Sequence, residues 1–248
     1  VVGKSQVGKS HLLNVLGEHP TAFPEGSLIA SCTLDPVAET FEFVDQPTKV
    51  RYELTANDTP GLFDTRTRED NDRLMGKITD FIKYSMEAVH RVFYVIRLGA
   101  ITNEEEQCMQ LFRGLFSDDA LKCGIFSLVI THCDDKTNDQ RQSIVKEVAT
   151  NSKMTPFIQM FSKDYLDSGP EILTVDFSCH STTALNDRLN LLQSIYRAQI
   201  PMHKTKLFRL YATMQEEEER QKMRQLMIGN IPAELRKETA GRSTCPLQ

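Results

Sequence analysis

The chain has 248 residues, a formal net charge of -5, 40% hydrophobic residues and 25% charged residues. This length fits one α/β domain of about 200 residues and an appendage, while the acidic balance argues against a nucleic-acid partner, which needs a clustered basic excess. No apolar run approaches the roughly 18 residues of a membrane helix, and six scattered cysteines without a C-x-x-C pair favour a reduced, cytosolic-facing compartment without structural metal.

A phosphate-binding motif stands near the start of the chain. The stretch from Gly3 to Ser10 matches the pattern G-x-x-x-x-G-K-[ST] at every fixed position. The glycines let successive backbone N–H groups point at phosphate oxygens, Lys9 can neutralise the β- and γ-phosphates, and Ser10 can bind Mg²⁺. A chance match in a Gly-, Ser- and Lys-rich turn is the alternative. The predicted nucleotide-binding residues are Gly3, Lys4, Ser5, Gln6, Val7, Gly8, Lys9 and Ser10.

The rest of the chain alternates between predicted strands and helices. The phosphate motif should open a short helix that stops near Gly17, and residues 18–37, rich in Pro, Gly and Ser, predict a mobile loop. Period-two alternation predicts paired edge strands at 40–44 and 50–54. Apolar runs predict buried strands at 92–96 and 125–130, and a further strand is predicted at 172–177. Apolar residues at helical spacing predict helices at 68–90, 102–115, 140–149 and 183–197, the second opened by a capping box of Thr102 and Glu105.

This β/α order predicts an α/β fold, a three-layer P-loop NTPase of the Ras-like G-domain type with a mainly parallel sheet. The domain should cover residues 1–200, with its first strand truncated because only Val1 and Val2 precede the phosphate motif. A targeting signal could have been lost with that strand. Pro201 marks the expected end of the domain. Residues 201–248 should form a C-terminal helical extension, with Leu207 on its apolar face, and a flexible polar tail.

A second set of residues predicts a metal site and a γ-phosphate sensor. Asp58 follows a predicted strand, where a carboxylate can bind Mg²⁺ directly or through water, and the Gly61 N–H can bond the γ-phosphate. Thr33, in the predicted loop, is the candidate switch threonine. The predicted Mg²⁺ ligands are therefore Ser10, Thr33 and Asp58. Taken alone, D-T-P-G is an ordinary turn and Thr33 an ordinary loop residue.

The nucleotide base is expected to be guanine because of Asp134. Its carboxylate can accept from both the ring N–H and the exocyclic amine of guanine, a pair of donors that adenine lacks. Thr131 and Asp134 match the usual base motif [NT]-K-x-D, whereas His132 replaces the lysine and can still lie against the base plane. Ser178 and Cys179 are candidates for backbone contact with the base carbonyl, and a plain strand-to-helix turn is the alternative there.

Together these motifs resemble the GTPases of immunity-associated proteins, of the avirulence-induced-gene type, which are relatives of the Toc GTPases and the septins. The resemblance covers roughly residues 1–200. It implies a domain that binds GTP or GDP with Mg²⁺ and dimerises through the nucleotide face, often with a helical extension and sometimes a membrane anchor. Two departures are Ala100, where the family commonly has arginine, and His132. The residues that carry the resemblance are 3–10, 31–33, 58–65, Leu98-Gly99 followed by Thr102 and its acidic run, and 131–134.

The function expected from the sequence is a dimerising molecular switch that hydrolyses GTP, in the cytoplasm or on the cytosolic face of a membrane. Leu62 stands where many GTPases place a water-orienting glutamine, so hydrolysis by the monomer should be slow and no catalytic residue is assigned. The alternatives are a GTP-loaded membrane scaffold with negligible hydrolysis and a small-molecule P-loop kinase. The kinase is disfavoured because it has no need to combine the string from Asp58 to Gly61 with Thr131 and Asp134. Cys245, fourth from the end, is a candidate prenylation site.

Overall fold

The computed structural model describes residues 1–25, 35–44, 49, 51–61, 68–161, 170–176, 182–198 and 200–209. The strands are β1 (Val2–Gly3), β2 (Val37–Val44), β3 (Arg51–Asp58), β4 (Ala88–Val89), β5 (Val92–Arg97), β6 (Phe126–Thr131), β7 (Glu171–Thr174) and β8 (Met202–His203). The helices are α1 (Lys9–Gly17), α2 (Arg68–Ser85), α3 (Asn103–Leu115), α4 (Asp118–Leu121), α5 (Asn138–Thr150), α6 (Thr155–Gln159), α7 (Thr182–Arg197) and α8 (Lys204–Leu207).

A parallel sheet in the order β1-β5-β6-β7 forms the centre of the molecule. Strands β2 and β3 pair antiparallel along their whole length, which confirms the predicted edge hairpin. This hairpin lies beside β1, because the Val1 nitrogen donates to the Asn57 carbonyl at 2.7 Å and the Thr59 hydroxyl donates to the Val1 carbonyl at 2.9 Å. The end of β3 is thereby brought next to the phosphate motif.

Helices cover both faces of the sheet. Successive side chains of β5 point to opposite faces, so Phe93 belongs to one core cluster and Tyr94 to the other. On one face Tyr94 packs edge-on against Phe112 of α3, with ring centroids 4.8 Å apart. On the other face Phe93 shares a cluster with Leu12 of α1 and Leu191 of α7. The predicted three-layer α/β architecture is confirmed.

The helix predicted at 68–90 is shorter than expected. It ends at Ser85, whose side chain is exposed. Ala88 and Val89 instead pair antiparallel with His203 and Met202. The backbone of Ala88 and Val89 therefore pairs with a strand that lies more than a hundred residues later in the chain.

The packed domain also continues past Pro201, where the sequence placed its end. Leu207 and Phe208 are buried, and the Phe208 ring stacks on Phe116 with centroids 5.2 Å apart. The Ser117 hydroxyl donates to the Lys206 carbonyl at 2.6 Å.

Residues 210–248, which hold the rest of the predicted helical extension, the tail and Cys245, lie outside the described residues. In the part that is described, no helix combines the length and the apolar character that a bilayer crossing requires.

Candidate functional site

The phosphate motif forms a tight loop between β1 and α1. Gly8 has φ 88° and ψ 25° and directly precedes the first turn of α1, a left-handed conformation that glycine adopts without strain. The Leu12 N–H donates to the Gly8 carbonyl at 2.9 Å. The N-terminus of the nine-residue α1 therefore faces the loop, which is the arrangement that favours bound phosphate.

Two glycines allow neighbouring segments to approach this loop closely. A Cβ atom at Gly3 would lie 2.3 Å from the Val95 carbonyl oxygen of β5. A Cβ atom at Gly61 would lie 2.4 Å from the Ser5 Cα atom. Gly61 is thus packed against the phosphate loop, and the bond from its N–H to a γ-phosphate stays a prediction.

Lys9 is buried, and its ammonium group donates to the Lys4 carbonyl at 2.8 Å. It therefore reaches back across the loop to which it belongs. The Lys4 ammonium group pairs with the Glu104 carboxylate of α3 at 2.5 Å. Two cations consequently meet at the loop, one held inside it and one at its rim. Glu104 was not identified as a site residue from the sequence, although it stands in the acidic run after Thr102.

The predicted metal ligands Ser10 and Asp58 come together. The Ser10 hydroxyl donates to Asp58 Oδ2 at 2.6 Å, and Asp58 is fully buried. A hydroxyl and a carboxylate are the oxygen donors that Mg²⁺ prefers. These two residues fit a magnesium site beside the phosphate loop. The third predicted ligand, Thr33, lies outside the described residues.

Thr131 joins the base motif to the phosphate loop. Its side chain is fully buried, and the hydroxyl lies 2.7 Å from the Val7 carbonyl and 3.1 Å from the Ile96 carbonyl. A hydroxyl has one hydrogen, so it donates to one of these carbonyls at a time. These contacts tie the start of the base motif to the phosphate loop and to β5.

His132 stands where the base motif usually has a lysine. Burial lowers the pKa of His132, and the nearby Arg97 lowers it further, while Asp134 opposes the shift. This environment therefore disfavours the charged form of the imidazole. The backbone at His132 has φ 59°, a left-handed conformation uncommon for residues other than glycine.

The loops that follow β6 and β7 are held side by side. The Cys133 N–H donates to the Val175 carbonyl at 3.2 Å, next to the partly exposed Asp134. Ser178 and Cys179, the other predicted base contacts, lie outside the described residues.

Sequence reasoning missed Arg141 and Asp187, which are buried under these loops. In the sequence, each of them is simply a charged residue within a helical pattern, and such a residue is ordinarily exposed to solvent.

Comparisons with known proteins agree with this geometry. A model of the AIG1 family matches residues 1–167, whereas no curated protein matches the chain significantly. One similar solved structure comes from work on dimerization and GTPase activity of the chloroplast translocon components atToc33 and psToc159. Its TM-score is 0.56 at 18% identity, over 79% of this chain and 80% of that chain.

A second similar structure is Era in complex with MgGDPNP and a segment of 16S ribosomal RNA. Its TM-score is 0.53 at 16% identity, over 79% of this chain and 54% of that chain. At such identities the likeness concerns the fold alone. The fold is that of the P-loop GTPases.

Proposed function

Because the chain belongs to the AIG1 family and contains a G domain with the P-loop GTPase fold, we propose that it binds GTP and GDP together with Mg²⁺. It hydrolyses GTP slowly and acts as a molecular switch, and its GTP-bound form pairs with a second copy of the chain. The guanine base, the metal, the slow rate and the pairing are each part of this proposal.

The contact between Ser10 and Asp58 carries the proposal. The two residues lie on α1 and at the end of β3, 48 positions apart in the chain, yet their oxygens are 2.6 Å apart and the carboxylate is buried. A buried carboxylate is costly unless an opposite charge or hydrogen bonds compensate it. A divalent cation beside the phosphate loop would add to the compensation that the Ser10 hydroxyl gives. The Ser5 hydroxyl is also buried, with no hydrogen-bond partner among the described residues, which supports a loop that a phosphate group completes.

Different residues of the site would bind the phosphates, the Mg²⁺ ion and the guanine base. The backbone N–H groups of the loop and the start of α1 bind the phosphates. Lys9 exchanges the Lys4 carbonyl for a phosphate oxygen, and Gly61 offers its N–H to the γ-phosphate. Bound Mg²⁺, held by Ser10 and Asp58, would neutralise charge on the phosphate oxygens. Asp134 accepts hydrogen bonds from the guanine edge.

We expect slow hydrolysis because of the residues that stand at two positions of the sequence, 62 and 100. Leu62, next to Gly61 and outside the described residues, has no polar group with which to orient water. Ala100 is exposed and carries no charge that could cross to a partner. Arg97, exposed at the end of β5, is the candidate that we take for this role, with Arg66 and Arg68 as the alternatives. For atToc33 and psToc159, dimerization is important for GTPase activity, and we extend that coupling to this chain in a weaker form.

We expect the turnover of GTP per subunit to be on the order of 10⁻⁴ per second at low protein concentration, the scale of intrinsic Ras hydrolysis. Pairing should raise it by no more than about tenfold, because an arginine finger, which gives about 10³-fold or more, is missing at Ala100. The measurement is phosphate release against protein concentration with Mg²⁺, together with sedimentation in GTP and in GDP.

Arg97→Ala should remove the dependence of turnover on concentration. The matched control is Arg113→Ala, which changes an exposed arginine at the far end of α3 and should leave the dependence intact. A rise of a thousandfold in the unaltered chain would show that another group supplies the missing charge. A dimer in GTP without any phosphate release would instead favour a GTP-loaded scaffold.

A further inference from the structure

A buried cluster of charged side chains lies under the loops that follow β6 and β7. Arg141 of α5 is 5% exposed, Asp187 of α7 is 8% exposed, and Asp176, two residues after β7, is 5% exposed. The Arg141 guanidinium lies 2.6 Å from Asp187 Oδ2 and 3.5 Å from Asp176 Oδ2. The cluster therefore joins two helices to the segment that follows β7.

Arg141 also donates hydrogen bonds to backbone carbonyls on both sides of Asp134. Its Nη2 donates to the Cys133 carbonyl at 3.1 Å, and its Nε donates to the Lys136 carbonyl at 3.2 Å. These two carbonyls bracket Asp134 in the chain. Since a guanidinium is rigid and planar, it fixes the separation and the orientation of the two carbonyls together.

Asp187 makes the matching contact with the other loop. The same Oδ2 atom that pairs with Arg141 accepts from the Asp176 N–H at 2.9 Å. Burial raises the pKa of Asp187, and the hydrogen bonds from Arg141 and from the Asp176 backbone oppose that shift. One ion pair thus holds the backbone of the loop that carries Asp134 and the backbone that leads toward Ser178 and Cys179.

A buried ion pair is weak evidence for stability, because desolvation offsets most of the attraction. What this pair does provide is a fixed geometry for two loops. A carboxylate that accepts from two neighbouring donors on one base needs both of its oxygens in the plane of that base, and a small rotation of the loop breaks one of the two hydrogen bonds.

We propose that Arg141 and Asp187 are positioning residues of the base site, which hold the backbone around Asp134 in the geometry that accepts both donors of a guanine edge. The inference rests on the proposed function. It assigns to two residues without nucleotide contact a part in guanine specificity, separate from phosphate binding by the loop between β1 and α1.

The experiment compares the affinities of GDP, IDP and ADP for the full chain by competition against a fluorescent guanine nucleotide. IDP lacks the exocyclic amine, so the ratio of GDP to IDP affinity reports the second hydrogen bond of Asp134. Arg141→Lys keeps the positive charge and loses the planar fork, and Asp187→Asn keeps the volume and loses the negative charge. In both variants the ratio should fall by about tenfold, the lower range for a hydrogen bond to a charged group. The dependence of affinity on Mg²⁺, set at the phosphate end, should not change.

The matched control is Arg91→Lys. Arg91 is a partly buried arginine whose guanidinium, like that of the buried Arg141, donates to backbone carbonyls, here those of Ser194 and Gly124. It lies at the opposite end of the strands. It should lower the melting temperature and leave the ratio of GDP to IDP affinity unchanged. Two variants of the pair are used so that either one, if folded, decides the question.

An unchanged ratio in a folded Arg141→Lys or Asp187→Asn variant would overturn the inference and reduce the pair to a structural role. An equal fall in Arg91→Lys would do the same. Equal affinity of the unaltered chain for GDP and ADP would overturn the proposed function, and the inference with it.

Discussion

Replacing Asp134 by asparagine should change the preferred nucleotide from GTP to XTP. In the proposed base site, the Asp134 carboxylate would accept from the ring N–H and from the exocyclic amine of guanine. In xanthine a carbonyl replaces that amine, and the asparagine NH₂ group can donate to it. Loss of one hydrogen bond to a charged group costs about 1.5–3 kcal/mol. We therefore expect GTP affinity to fall about 100-fold and XTP affinity to rise, as measured by competition between GTP, XTP and ATP.

Asp135→Asn is the control for this substitution. It makes the same chemical change one residue later, at an exposed position with φ 60° that asparagine tolerates well. It should leave the preference for GTP unchanged. If Asp134→Asn still prefers GTP, or if both variants shift alike, Asp134 is not the residue that recognises the base.

Replacing Lys9 by methionine should weaken binding of every nucleoside triphosphate by about 100-fold, because the charge-assisted hydrogen bond that we propose between Lys9 and phosphate would be lost. The Lys9 ammonium lies inside the loop, 2.8 Å from the Lys4 carbonyl. Methionine matches the shape of the lysine chain, and it leaves no unpaired charge behind. The loop should therefore keep its fold, which a melting curve of the nucleotide-free protein will show.

Lys4→Met provides the comparison, since it removes a cation from the same loop. The Lys4 ammonium is already paired with Glu104 at the rim, so its loss should weaken binding by only about threefold, the scale of an exposed ion pair. Nucleotide binding by Lys9→Met within threefold of the unaltered chain would show that Lys9 does not contact phosphate. Equal losses in the two variants would mean that only the net charge of the loop matters.

The parts of the fold that the sequence predicted depend on contiguous residues. In the phosphate loop, the local backbone conformation depends on the residue type at each fixed position. Gly8, for example, adopts a left-handed conformation. The capping box of Thr102 and Glu105 is formed as predicted, with both of its hydrogen bonds present. The apolar runs located β5 and β6 to within one residue at each end, because a strand covered on both faces has little choice of composition.

The parts that the sequence did not reveal depend on contacts between distant segments. A helical pattern predicts which side of α5 is apolar, but it does not show that Arg141 meets a carboxylate 46 residues away. The end of α2 at Ser85 is set by pairing of Ala88 with His203, and the burial of Leu207 by the aromatic cluster around Phe116. Propensity contains no information about such partners, because tertiary packing overrides it.

The most direct test of the proposed function is a titration of the unaltered chain with GTP and with ATP, with Mg²⁺ and with EDTA. Asp134 should give GTP an advantage of at least about 100-fold over ATP, since two hydrogen bonds to a charged group, each of about 1.5 kcal/mol or more, are at stake. Removal of Mg²⁺ should weaken GTP binding, because Ser10 and Asp58 then hold no cation between them and the phosphates. Equal affinities for GTP and ATP, or GTP binding that EDTA leaves unchanged, would contradict the account.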